Sequence, residues 1–150
     1  MPPRRTGGTE KRETSRFTRN ARTRSGSPER ILGLRGYGRV LALGAHPDDI
    51  ELGCGGSLIL AGKAGAEVHA AVLSRCEDEV PETPGRRADE FLQASRITGA
   101  EAHVFDIPNR AFPEHRHRMM GILEQLQDEV RPDLVFIPFL EDPHQDHEMV

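Results

Sequence analysis

Hydrophobic positions are spread unevenly along the 150-residue chain. Up to residue 36 the main large apolar side chains are Phe17, Ile31 and Leu32. From Arg39 onward the pattern changes. Short apolar runs alternate with longer stretches in which apolar residues recur every three or four positions. Arg39–Ala45 is a continuous apolar run of the kind found in a buried parallel strand. Glu51 to about Ala64 reads as a helix with Leu52, Leu58, Ile59 and Ala61 as its apolar stripe, ended by Gly65. Strands are predicted over Glu67–Ser74, Ala102–Ile107 and Asp133–Pro138. Helices are predicted over Arg86–Thr98, stopped by Gly99, and over Pro113–Val130, with Met120, Leu123, Leu126 and Val130 inward. Cys76–Gly85 and Phe139–His147 read as loops.

Strands alternating with helices predict right-handed βαβ units. The expected fold class is α/β: a Rossmann-like three-layer sandwich with a mostly parallel sheet. Ligands of such folds bind beyond the carboxyl ends of the strands.

Charge divides the chain at the same place as hydropathy. Residues 1–35 hold ten basic and three acidic residues, +7 in sum, within a total of −4, so the rest carries −11. Residues 1–36 are therefore expected to be a disordered basic tail, because such a composition buries too little to offset chain entropy. Residues 37–150 are expected to form the domain. Its acidity argues against nucleic acid as a partner. No stretch is long and apolar enough for a membrane span, and no apolar segment follows the basic N-terminus as in a secretory signal. Two cysteines, Cys54 and Cys76, make no disulfide framework, so a cytoplasmic location is expected.

Two polar clusters lie where the fold class places a site. His46-Pro47-Asp48-Asp49 follows the first strand, and Asp142-Pro143-His144-Gln145-Asp146-His147 follows the fourth. Two imidazoles and one carboxylate suit a catalytic zinc ion. His46 and Asp49, three apart across a turn, are able to converge on one point, and the second cluster supplies the other imidazole. Asp48 is then free to take a proton. Of the histidines in the second cluster, one serves as ligand and the other as a donor to an oxyanion or leaving amine. Spacing does not decide which. Taken singly, the first motif is most often a helix cap and the second a chance pair; together at successive strand ends they point to one site.

Ala45–Asp49 with Glu51 and Gly53–Gly56, the later His144–His147 motif, Arg87, Glu90, Ala94 and Gly99 on the intervening helix, and the Pro132–Pro138 segment resemble the PIG-L/LmbE-type zinc-dependent N-deacetylases. The resemblance covers Arg39–Val150. It implies His46, Asp49 and His147 as ligands of one Zn²⁺ per chain, Asp48 as general base, His144 as electrophile or acid, and Asp146 as the residue that orients His144. It implies removal of an acetyl or other acyl group from the amine of an N-acetylglucosamine-type sugar or sugar conjugate. Relatives of this type continue past the second motif. The fold is therefore expected to be incomplete at the C-terminus, with His147 on a frayed single turn.

Other residues carry weaker signals. Arg87 and Arg110 are candidates to bind substrate, the plain alternative for Arg87 being a salt bridge to Glu90. The glycines around Cys54 are expected to allow close helix packing, and Cys54 to be a small core residue. Cys76 reads as a loop thiol near the site. His69 and His103, within strands, read as structural. Competing functions are an Fe(II) enzyme, since two histidines and a carboxylate also describe such a site, and a non-catalytic fragment or binding module. A homo-oligomer stays open.

Overall fold

A computed structural model describes residues 33–77 and 83–150. The apolar runs become four strands, β1 (Arg39–Gly44), β2 (Glu67–Val72), β3 (Glu101–Val104) and β4 (Leu134–Phe136). All pairings are parallel, in the order β3-β2-β1-β4. Helices α1 (Asp49–Lys63), α2 (Arg86–Thr98), α3 (Arg116–Val130) and α4 (Gln145–Met149) intervene or follow, with a 3₁₀ turn at Pro113–His115 before α3.

Alternation along the strands builds two cores. Val40, Ala42, Val68, Ala70 and Val72 face α1 and α2, meeting Leu58, Ala61 and Phe91. Leu41, Leu43 and Ala71 face α3, meeting Met119, Ile122, Leu126 and Val130. The α/β three-layer sandwich is as expected. β1 has β2 on one side and β4 on the other: the chain runs outward through β2 and β3 and then crosses back to β4 beyond β1, so the strand order reverses there. The crevice past its carboxyl end is the topological switch point where open α/β sheets bind ligands.

Several details differ from the sequence pattern. α1 starts at Asp49, two residues early, and the sheet-facing line runs through Ile50, Leu58 and Ala61. Leu52 lies two residues from Ile50, about 200° around the helix, and is 85% exposed. In α3 the buried line runs through Met119 and Ile122, and Met120 is turned outward. Strands β2, β3 and β4 are shorter than predicted. Leu34 is buried in the α1–α2 core, so ordered packing begins inside the segment assigned to the tail. The rest of that assignment, residues 1–32, lies outside the described residues.

The predicted loop over Phe139–His147 ends in a short helix instead. α4 does not stand alone: Gln145 Nε2 donates to the Arg110 carbonyl at 2.7 Å, and Met149 and Val150 pack on the α3-side core. These contacts, rather than helix propensity, hold a five-residue helix that would not persist in isolation.

Candidate metal centre and active site

The turn after β1 is built for close approach. A Cβ on Gly44 would come within 3.1 Å of Asp49 Cβ and of Ile50 Cγ1. Asp48 adopts a left-handed backbone, φ 100°, a conformation that Asp tolerates better than most residues. Neither carboxylate caps α1. Asp48 makes no side-chain cap bond, and Asp49 Oδ2 instead accepts the His46 backbone N–H at 2.8 Å. Asp49 is thereby aimed back across the turn at the His46 ring.

The second motif reaches the same point from the other side of the switch. His46 and His147 face one another, Nδ1 to Nε2, at 3.3 Å. Asp49 Oδ1 lies 3.3 Å from His147 Nε2, and Asp49 Oδ2 lies 3.7 Å from His46 Nδ1. Each imidazole is backed by a carboxylate on its other nitrogen. His46 Nε2 donates to Asp146 Oδ2 at 3.1 Å, and His147 Nδ1 to Asp142 Oδ2 at 3.1 Å. Those two bonds fix the tautomers. The inner nitrogens are left as lone pairs, aimed at each other and at a carboxylate. Three acceptors with no donor between them repel unless a cation or proton lies among them, and a metal ion satisfies all three.

His144 also lies close. Its ligand nitrogen is within 4.8 Å of those of His46 and His147, so proximity alone would admit it as a third ligand. Its hydrogen bonding argues otherwise. His144 Nδ1 accepts the Asp146 backbone N–H at 3.2 Å as the cap of α4. The neutral ring then carries its proton on Nε2, which makes that atom a donor and not a metal ligand.

Asp146 departs from its expected role. Its carboxylate is fully buried and reaches the ring of His46, not that of His144. Oδ2 also accepts the Arg110 N–H at 2.7 Å. Helix α4 explains this: its first turn points Asp146 inward beneath the β1 turn, while His144 meets Asp146 only through the backbone.

Arg87 departs as well. Its guanidinium donates to the Pro47 carbonyl at 2.8 Å and to Asp48 Oδ1 at 3.0 Å. It holds the Asp48 side chain of the protein itself, and the pair with Glu90 is made by Arg86. Arg110 contributes its backbone to Asp146 and Gln145, and its side chain is exposed on the rim.

The sequence reading left Asp142 without a role. Its Oδ1 accepts the His144 N–H at 2.8 Å, a local turn that Asp before Pro commonly starts, and Oδ2 meets His147. The His144 N–H first, then the His147 side chain, hold the Asp142 carboxyl below its ordinary value. Glu51 lies behind the turn, and burial pushes its carboxyl up.

A cavity of about 540 Å³ opens against Asp49 and His147. Leu52, Cys54, Phe136 and Phe139 line it. Half-buried Cys54 both packs on the α1–α2 core, as expected, and lines the cavity, and burial pushes its thiol up to about 11. Of the glycines around it, Gly55 comes within contact range of Thr98 on α2, whereas Gly53 and Gly56 face open space, so close packing accounts for only one. Cys76 is buried beside Ser74. Neither cysteine is in a disulfide. Among the described residues no helix is long and apolar enough to cross a membrane.

Known proteins resemble this chain in sequence and fold. The family model described as PIG-L, GlcNAc-PI de-N-acetylase, matches residues 41–150. The uncharacterized deacetylase YaiS of Escherichia coli (strain K12) is 30% identical over 114 residues, covering 72% of this chain and 61% of YaiS. The conserved protein TT1542 from Thermus thermophilus is 36% identical with a TM-score of 0.62, over 73% of this chain and 50% of that one. GalB, the 4-carboxy-2-hydroxymuconate hydratase from Pseudomonas putida KT2440, is 27% identical with a TM-score of 0.58, over 73% and 51%. The chain thus spans about three fifths of the curated relative's length and about half of each solved one.

Proposed function

The chain belongs to the PIG-L family, and from that membership and the geometry of the rim cluster we propose that it is a zinc-dependent N-deacetylase. Its substrate is an N-acetylglucosamine-type sugar or sugar conjugate, from whose amine it removes an acetyl or other acyl group. The observation that carries the reading is the meeting of three acceptors. Ligands about 2.0–2.1 Å from a tetrahedral zinc ion stand about 3.3 Å apart. His46 Nδ1 and His147 Nε2 stand 3.3 Å apart, and the Asp49 carboxylate reaches each ring, Oδ1 at 3.3 Å from His147 Nε2 and Oδ2 at 3.7 Å from His46 Nδ1. One zinc ion per chain fits that set.

A zinc ion held there supplies Lewis acidity, polarising the amide carbonyl and acidifying water. Asp48, held by Arg87, takes the proton from the attacking water and returns it to the departing amine. His144 Nε2–H donates to the oxygen on which negative charge develops. Asp146 and Asp142 keep the two ligand rings in the required tautomers. The apolar wall of Leu52, Phe136 and Phe139 receives the acyl group or a sugar face, and Arg110 reaches a substrate hydroxyl or acidic group from the rim. The setting proposed is the cytoplasm, in keeping with two cysteines outside any disulfide.

Free amine released from an N-acetylglucosamine conjugate by the zinc-loaded protein is the test. The readout separates this reaction from that of a hydratase, which adds water without releasing an amine. Asp48→Asn should keep zinc and lose roughly 10²–10⁴-fold in rate. Zinc loss in that variant would make Asp48 a ligand. Amide hydrolysis unchanged in both Asp48→Asn and His144→Ala would refute the mechanism.

A further inference from the structure

A second histidine cluster lies on the same sheet, toward the starts of β2 and β3. The register pairs His69 with Glu101 and Ala71 with His103. Glu67, His69, Glu101 and His103 therefore share one face, the one that carries Ala71 against α3. His69 Nδ1 lies 3.2 Å from His103 Nε2 and 3.8 Å from Glu101 Oε2. The three ligand atoms all fall within 4.8 Å of one another.

We propose that His69 Nδ1, His103 Nε2 and the Glu101 carboxylate form a second zinc site, a clip between β2 and β3 that is independent of the rim cluster. Glu67 repeats what the orienting carboxylates do at the rim. Its Oε1 lies 3.3 Å from His69 Nε2. That nitrogen is buried and makes no hydrogen bond among the described residues, so Glu67 is in contact but off the bonding line. Its charge still favours the proton on Nε2, which leaves the Nδ1 lone pair facing His103 and Glu101.

Without metal, the Nε2–H of His103 donates into that lone pair. With zinc, His103 carries its proton on Nδ1 and offers Nε2, a change of tautomer with no net proton lost. Burial first, then neighbouring His69, hold the His103 imidazole below its ordinary value, which favours the neutral form a metal needs. Glu67, Glu101 and, from α3, Glu129 surround the two rings with negative charge. β3 has only four residues and lies at the sheet edge. A cross-strand ion would hold it to β2 and raise stability by binding only the folded state.

Calorimetric titration of the metal-free protein with Zn²⁺ tests this. The unmodified chain should bind two ions, and Glu101→Gln and His103→Gln one each. Glu101 has an exposed side chain, so its substitution leaves the fold intact. His46→Ala should lose the rim ion and keep the clip, which distinguishes failure of this site from failure of the rim reading. In the His46→Ala background, zinc should raise Tm, and Glu101→Gln should weaken the remaining binding at least roughly tenfold. Equal stoichiometry and affinity with and without Glu101→Gln and His103→Gln would overturn the proposal, since any extra zinc would then lie elsewhere.

Discussion

At the rim, the carboxylate behind His46 is wholly buried; at the strand starts, the one behind His69 is 62% exposed. The two clusters otherwise look alike, with paired imidazoles, a third acidic group and a carboxylate at the far nitrogen. Their supports differ because their origins differ. The rim cluster is drawn from two loops nearly 100 residues apart, and holding them together takes buried polar contacts among Asp146, His46 and Arg110. The strand-start cluster comes from two hydrogen-bonded neighbours, already fixed by the ladder. A buried carboxylate acts at low dielectric and defines ring geometry tightly, at a cost in desolvation. An exposed one costs little and specifies little. The rim also faces the 540 Å³ cavity, whereas Glu67 and Glu101 face solvent. In the reading proposed, similar donor sets would serve chemistry at one place and strand pairing at the other.

The sharpest way to break this comparison is to remove both orienting carboxylates in turn. Asp146→Asn should weaken zinc binding at the rim about 10–100-fold, measured by competition with a chelator. Glu67→Gln should weaken the clip only about threefold or less, the usual worth of an exposed ionic contact. Equal losses would show that burial is not what separates them.

A smaller effect is expected from Gly44→Ala. The added methyl group presses on Asp49 Cβ and Ile50 Cγ1 and should cost about 1–3 kcal/mol of stability. It should also lower zinc affinity at the rim and leave the clip unchanged. Denaturant unfolding together with metal titration would show whether strain in this turn spreads beyond it.

The smallest effect concerns the strand starts alone. Asp133 accepts the backbone N–H groups of Gly38 and Arg39 at 2.8 and 3.0 Å, and the first of these chiefly holds its carboxyl below the ordinary value. A depressed carboxyl stabilises the fold above the unfolded-state pKa, and that contribution is lost as pH falls through the folded value. Asp133→Asn should therefore lower Tm slightly near neutrality and flatten its fall in acid. An unchanged acid limb in a pH series of thermal melts would contradict this.

Local pattern was legible wherever one face of an element met one layer. The apolar run at Arg39–Ala45 and the Arg86–Thr98 helix closed by Gly99 were read directly. Leu52 and Met120 were misplaced singly: Leu58, Ala61, Leu126 and Val130 keep the buried stripes where they were expected, but Ile50 and Met119 take the inward positions at the N-terminal ends, and Leu52 and Met120 lie about 200° and 100° around the helix from them. The pairing of Asp146 with His46 instead of His144 was not legible, because α4 sets that direction and is itself held by the Arg110 loop. Likewise, nothing local told that Arg87, rather than Arg86, would reach across to Asp48.

By itself the sequence determined the α/β alternation, the two polar motifs and their place after the first and fourth strands. Spacing along a chain decides which element a residue joins and which end of it a turn occupies. Only the tertiary structure decided which nitrogen of each ring is turned inward, which carboxylate stands behind it, and that His69 and His103 meet. Those facts depend on strand order, on register and on the docking of a helix that cannot stand alone, contacts between residues 34 to 101 positions apart, whose geometry no local rule of spacing contains.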